Sequence, residues 1–460
     1  MRTHTRSFVV VLLTVWATSL FADTKRLIVG EQAPNILFIL CDDLGWMDLG
    51  YNGAQYHKTP NIDRLAQQSM VFNRAYARPT CSPSRASLFT GLNETNTGIY
   101  HVEGFFRVKP PEMNVKPPKS GHHYEEPITM LADALKTAGY RTGYVGKWHV
   151  THDPTENGFD FNAGGWKQGG PKSYFSPYKN PALKNGPKGE YLPDRLAKES
   201  IDFIQSEAGE PFFLCYAPYS VHYPIQAQTD DIQRFNQGTK DHPQQLPEYA
   251  AMVYALDRAV GRVVDVLEEA DMLKNTLIVF TSDNGQNGRV APDINLRGCK
   301  GAVYEGGIRV PTFVHWAGMV PHGESEALID IIDWYPTLIE LAGVAPSHRL
   351  DGESLVPLFT GKVQRVRETL HMHVPVYNGS AGRPRIISPF FQSPATVSIH
   401  GPYKYIRNYE PDREDELYNL EKDIGEQNNI LREHPEVALK MSQKMDAWIL
   451  RNEAVLPEAQ

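Results

Sequence analysis

Several short apolar runs along the chain end abruptly on polar residues: "NILFILCDD", "GYVGKWH", "PFFLCYAPYSVHYP" and "TLIVFTSDNG". Runs this short and this apolar predict strands buried on both faces. Between them, "MLADALKTAG", "LAKESIDFIQS" and "EYAAMVYALDRAVGRVVDVLEEA" repeat their apolar residues at helical spacing and predict amphipathic helices. Strand and helix alternate, so the predicted fold class is α/β, a large and predominantly parallel sheet sandwiched by helices. After residue 365 the pattern changes. Two short strands, "ATVSIHG" and "YKYIRNY", a turn-rich acidic stretch and an amphipathic helix from 435 to about 451 predict a smaller C-terminal α+β unit.

The first residues follow a different rule. Arg2 and Arg6 precede an apolar run from Phe8 to Phe21 that ends at Ala22, the layout of a secretory signal. The run is too short to span a bilayer, and no later apolar stretch approaches the ~20 residues required. The expected organisation is a signal peptide at 1–22, a catalytic domain at 35–365 and a C-terminal subdomain at 366–460 in an exported protein, periplasmic or extracellular, without a membrane span. A net charge of −8, with Lys and Arg scattered, gives no footprint for nucleic acid. Cys41 and Cys215, two of the four cysteines, fall in strand-like apolar runs, where a free thiol acts as a small hydrophobe. No Cys/His spacing matches a zinc site.

Ligand sites in parallel sheets lie outside the carboxyl ends of the strands. The predicted strand ends here carry Asp42 and Asp43, then Lys147 and His149, then His222, then Asp283 and Asn284. A single Asp after a strand is ordinarily a cap or turn residue. Four strand ends carrying acids, bases and an ammonium to one rim call for a site instead. Asp42, Asp43, Asp283 and Asn284 offer oxygen only, which suits a hard divalent cation, and three adjacent carboxylates without one would raise each other's pKa. Calcium tolerates the irregular geometry of such a set better than magnesium does.

In "TCSPSRASLFTGL" the pattern predicts Ser82 as N-cap, Pro83 as first helical residue and a stop before Gly91. Cys81 then sits at a helix N-terminus, where free amides favour an anion, with Arg85 one turn in. A thiolate nucleophile is the direct reading. The spacing is Cys-x3-Arg, however, not the Cys-x5-Arg of cysteine phosphatases, and an exported reactive thiol is open to oxidation.

These residues resemble the type I, formylglycine-dependent sulfatases of the alkaline-phosphatase-like superfamily. The family signature appears as Cys81-Ser82-Pro83-Ser84-Arg85 with Thr90-Gly91, and its second signature as Gly139-Tyr140-Arg141-Thr142 with Gly146-Lys147-Trp148-His149. "DDLG", "SDNG" and "KGAVYEGGIRVP" match the family's metal-binding and second-lysine segments, and the similarity runs from about Asn35 to the "ELYNLEKDIGEQNN" stretch. The resemblance implies that Cys81 is oxidised by a maturation enzyme to formylglycine, whose hydrate attacks sulfur and then expels sulfate. It also implies a calcium site made by Asp42, Asp43, residue 81, Asp283 and Asn284. Arg85, Lys147 and Lys300 would balance negative charge, His222 would protonate the leaving oxygen, and His149 would deprotonate the second hydroxyl.

Aromatic and basic loops, "WKQGGPKSYFSPYKNP" and "HMHVPVYNGSAGRPRI", suggest a pocket for a sulfated carbohydrate, with His101, His373, Arg383 and Arg385 as candidate contacts. Two rival readings are a phosphoester or phosphonate hydrolase on the same scaffold, and a non-catalytic binder of sulfated glycans that keeps Cys81 unconverted.

Overall fold

A computed structural model of the chain describes residues 33–102, 113–121, 127–206, 209–236, 246–288, 296–378 and 392–460. The proposed signal segment, and Arg383 and Arg385, lie outside them. In chain order the strands are β1 (Asn35–Cys41), β2 (Met70–Tyr76), β3 (Val115–Lys116), β4 (Arg141–Gly146), β5 (Phe161–Ala163), β6 (Phe212–Ala217) and β7 (Thr276–Ser282). They continue with β8 (Phe313–His315), β9 (Gly323–Asp330), β10 (Thr369–Val374), β11 (Ala395–His400), β12 (Tyr403–Asn408), β13 (Glu416–Asn419) and β14 (Glu458–Ala459).

Eight of them form one sheet in the order β5-β4-β6-β1-β7-β8-β2-β9. Every neighbouring pair in it is parallel except the two that β8 makes, with β7 and with β2. The α/β class and the mostly parallel sheet expected from the sequence are what the chain adopts. β1 shows how the layers form: Ile36, Phe38 and Leu40 enter one core with Leu131 and Leu338, while Leu37, Ile39 and Cys41 enter the opposite core with Leu196, Met252 and Leu256. Strand side chains alternate between faces, so a run buried on both must be apolar throughout.

β10 to β13 make a separate antiparallel sheet in chain order. Its Leu370, Met372, Val397 and Ile406 face Tyr76, Ile308 and Leu328 of the larger unit, and Tyr405 and Leu417 on the other face are covered by Met441 and Met445 of the helix Pro435–Arg451. All four cysteines are buried and free. No helix among the described residues is long and apolar enough to cross a membrane.

Candidate active site

The carboxyl ends of β1, β4, β6 and β7 meet at one rim because their connections are tied by backbone bonds. Asp42 N donates to Ser220 O (3.1 Å), Val221 N to Asp42 O (2.6 Å), Asp283 N to Cys41 O (3.1 Å) and Lys147 N to Ala217 O (2.7 Å). Gly146 allows the last of these: at φ +113° its Cβ would lie 1.9 Å from Ala217 O. Asp43 and His149 both adopt φ of 59°, left-handed turns that leave the sheet plane directly after a strand.

Opposite this rim, the helix Cys81–Thr90 points its first turn at the cluster, and Gly91 closes it at φ 68°. The helix starts one residue before the predicted cap. Thr80, with extended backbone, is the N-cap, and Pro83 falls third. Proline is accepted there because the amides of a first turn have no intrahelical partner to lose. Cys81 is consequently the first helical residue.

The side chains pair acid with base throughout. Lys147 Nζ lies 2.6 Å from Asp42 Oδ1, Lys300 Nζ 2.5 Å from Asp43 Oδ1, and Arg85 Nε 2.7 Å from Asp283 Oδ2. Asn284 Nδ2 donates to Asp43 Oδ1 at 2.8 Å. Cys81 Sγ sits 3.7 Å from Asp42 Oδ1 and 3.9 Å from Asp43 Oδ1. Arg85 Nη1 also donates to Lys147 O, the carbonyl that Tyr144 OH shares. Lys300 reaches the cluster on a loop whose backbone is fastened at Lys300 N to Gln286 O (2.8 Å) and Gly301 N to Pro79 O (2.6 Å).

Burial sets the electrostatics. Asp42 is pushed up to about 7 by burial, against the pull of Lys147. Burial would raise Asp43 too, but the Lys300 ammonium, with His222 and Lys147 behind it, holds it below the usual carboxylate range. Burial and the Asp283 carboxylate push the Cys81 thiol up to about 12. A thiolate is therefore not what this arrangement favours, even at a helix N-terminus. His222 is pushed down to about 3 by burial and Lys300, and His149 well below its ordinary range by burial, Lys147 and Arg85. His222 Nδ1 lies 2.6 Å from Tyr223 O and must donate to it, which turns Nε2 toward Asp43 Oδ2 at 3.8 Å.

Several polar atoms here are buried with no hydrogen-bond partner among the described residues: Asp42 Oδ2, Asp43 Oδ2 and Asn284 Oδ1 among acceptors, and Arg85 Nη2 among donors. Orphans of this kind are rare because each costs about 1–3 kcal/mol. One ligand atom each from Asp42, Asp43, Cys81 and His222 lies within 4.8 Å of the others. Unpaired carboxylate and amide oxygens converging in one buried cluster fit a hard divalent cation. His222 in this set was expected from sequence only as an acid-base group.

A cavity of about 450 Å³ opens beside His149, lined by Ser82, His101, Ser120, Thr151, Lys167 and Gln168 among others. The structure thus brings Asp42, Asp43, Cys81, Arg85, Lys147, His149, His222, Asp283, Asn284 and Lys300 together and sets His101 at the adjoining cavity. It does not bring His373 there. That side chain is fully buried in β10, with Nδ1 2.7 Å from Thr396 Oγ1 and Nε2 3.1 Å from Val455 O, so both ring nitrogens are engaged within the fold. Tyr144 was not among the residues expected from the sequence, nor were Gly169 and Gly170, where an added Cβ would fall 2.2 Å from His149 Cε1 and 2.9 Å from His222 Cε1. The glycine doublet in "WKQGGP" was the available signal.

Residues 34–344 match the family model described as Sulfatase, and 299–451 match that of the N-sulphoglucosamine sulphohydrolase C-terminal region. A sulfatase of Formosa agariphila is 32% identical over 97% of this chain and 94% of its own length. The N-acetylgalactosamine-6-sulfatase of Canis lupus familiaris is 35% identical over 72% of this chain, which spans 66% of that protein. The solved structure of Ps i-CgsB in complex with k-i-k-neocarrahexaose superposes with a TM-score of 0.73 at 30% identity, covering 91% of this chain and 93% of that one.

Proposed function

Because the chain belongs to the sulfatase family of the alkaline-phosphatase-like superfamily and is a sulfuric ester hydrolase, we propose that it removes sulfate from sulfated carbohydrates, using a nucleophile made from Cys81. The observation that carries this reading is the set of unpaired buried atoms around Cys81 Sγ. Acceptor oxygens of Asp42, Asp43 and Asn284 suit a cation, while the spare Arg85 Nη2 donor suits an oxyanion. A sulfate ester with its counter-cation satisfies both kinds at once. The relatives add the carbohydrate: one is named for N-acetylgalactosamine 6-sulfate and another is bound to neocarrahexaose.

In this reading Asp42, Asp43, Asp283 and Asn284, with residue 81, hold calcium; magnesium is the second choice. Bound there, the cation would supply Lewis-acid polarisation of sulfate oxygens and a lowered pKa for the nucleophile. Cys81 is oxidised to formylglycine by a maturation enzyme, and the raised thiol pKa agrees with a precursor role rather than a thiolate one. Arg85, Lys147 and Lys300 balance the negative charge, and Arg85 and Lys147 also orient the hydrated aldehyde. His222, its Nδ1 proton committed to Tyr223 O, presents Nε2 to the leaving oxygen. Burial and then the ammonium of Lys300 hold His222 down, and the sulfate charge offsets the second of these, which raises the proton affinity of the ring when substrate is present. His149 accepts the proton that releases sulfate. Water is consumed overall, and the products are the sugar alcohol and sulfate. Export through the segment 1–22, a catalytic unit at 35–365 and a C-terminal unit at 366–460 complete the proposal.

Two measurements test it together. Mass spectrometry of the peptide containing Cys81 should show an aldehyde and its hydrate, and that sample should release sulfate from members of a panel of sulfated galactans and glycosaminoglycan oligosaccharides. An aldehyde-bearing sample that hydrolysed only aryl sulfate would overturn the carbohydrate assignment, and one that preferred matched phosphate or phosphonate esters would overturn the sulfate assignment.

A further inference from the structure

Lys167 has no part in the chemistry above, yet it is held close to it. His149 N donates to Trp166 O at 3.1 Å. Two residues after Lys167, Gly169 lies so close to His149 that a Cβ would come within 2.2 Å of Cε1, and a Cβ on Gly170 would come within 2.9 Å of His222 Cε1. The start of the loop is pinned as well, by Asn162 Nδ2 to Gly165 O (2.9 Å) and Gly165 N to Asn162 Oδ1 (2.8 Å). The segment 166–170 therefore lies flat on both histidines, and glycine at 169 and 170 is what permits the approach.

On that fixed loop Lys167 is exposed, lines the cavity beside His149, and makes no hydrogen bond or ion pair with any described residue. Its neighbours around the cavity include the residues Ser82, Ser120 and Thr151 with their hydroxyls, Gln168 and His101, with Ile99 and Val150 as the apolar members. Among the described lining residues there is no carboxylate. A cavity of about 450 Å³ lined by hydroxyls, an amide and the apolar Ile99 and Val150, with an ammonium that has no partner among the described residues, matches a sugar ring that carries an anion of its own.

Resting on the carbohydrate sulfatase reading, we propose that the leaving sugar bears a second anionic group besides the ester that is cleaved, and that Lys167 recognises it. Sulfate and carboxylate share the chemistry an ammonium reads. Lys167 is thus a specificity-determining residue for the anionic substitution of the substrate, acting in binding rather than in the bond-breaking step.

The test compares kcat/KM on matched substrates with the wild-type enzyme, Lys167→Ala and Lys167→Arg. The probes are N-acetylgalactosamine 6-sulfate, N-acetylgalactosamine 4,6-disulfate and the uronyl disaccharide of the 6-sulfate, with the corresponding galactose mono- and disulfates. Wild-type enzyme should favour a doubly anionic member over its singly charged match by roughly tenfold or more. Lys167→Ala should collapse that ratio toward one, Lys167→Arg should keep most of it, and added salt should erode it. Disulfates and uronyl substrates in separate arms identify which anion is read. The proposal is overturned if wild type turns over singly charged sugars as well as doubly charged ones, or if Lys167→Ala slows both classes equally. Failure of the carbohydrate reading looks different: no saccharide releases sulfate while an aryl sulfate does, and both readings fall.

Discussion

Lys147 Nζ lies 2.6 Å from Oδ1 of Asp42, while Oδ2 of the same carboxylate is buried with no hydrogen-bond partner among the described residues. One oxygen of a pair neutralised and the other left bare is a costly state unless a cation takes the second. Chelator treatment should therefore lower thermal stability and abolish sulfate release, with calcium restoring both. At free calcium near 100 times its Kd the recovery should be about 3 kcal/mol. Melting curves with and without calcium measure it, and a chelator-insensitive melting temperature would remove the cation from the site.

His222 and the leaving oxygen make a second testable pair. If Nε2 supplies the proton, its value depends on how badly the leaving group needs one. His222→Ala should lower kcat on a sugar sulfate by on the order of 10²–10⁴, but far less on nitrophenyl sulfate, whose phenolate leaves unaided. Equal losses on the two substrates would assign His222 to the cation or to charge balance instead.

What the chain reveals on its own follows from how local each signal is. β1, β6 and β7 were legible because strands buried on both faces must be apolar at every position, and the burial of each is complete. β2 ("MVFNRAY") and β9 ("GESEALID") were not, since each carries polar or charged residues over part of its length. β8 is three residues long and turns against its neighbours, which no periodicity announces. The site itself was legible as strand ends plus a helix start, because those positions are fixed by topology. His373 misled because its own segment, "LHMHV", looks half polar. Its partners, Thr396 and Val455, are distant in the sequence, and only the folded chain shows them satisfying both nitrogens.

That burial has a pH consequence. His373 is pushed down to about 4 by burial, below the 6.5 it has when unfolded. As pH falls below 6.5 the unfolded chain binds a proton that the native ring refuses, so stability is lost progressively down to about pH 4. The full effect from this residue is about 3 kcal/mol. His373→Gln should cost stability at pH 7 through the changed contacts with Thr396 and Val455, yet its deficit against wild type should narrow by about that amount at pH 4. Urea midpoints at the two pH values decide it; a constant deficit would mean that His373 does not titrate in this way.

Lys404 of β12 is fully buried between two carboxylates, 2.9 Å from Glu305 Oε1 and 2.8 Å from Glu426 Oε1. Glu305 also accepts from Tyr76 OH at 3.0 Å and lies 3.3 Å from Arg309 Nε, and it follows the loop that carries Lys300. The ion cluster therefore fastens the small sheet to the part of the large unit that supplies an active-site ammonium. Removing the ammonium alone leaves two buried acids facing each other, so Lys404→Met should destabilise by about 3–5 kcal/mol and lower kcat as the Lys300 loop loosens. Removing the charges together is a different experiment. Because the groups are in contact, their effects should not add, and Lys404→Met with Glu305→Gln and Glu426→Gln should be more stable than Lys404→Met alone. Denaturant unfolding of the single and triple variants separates the two cases. A triple variant weaker than the single would mean that the carboxylates are held by Tyr76, Arg309 and the Glu305 backbone amide, which donates to Glu426 Oε2 at 2.7 Å, rather than by Lys404.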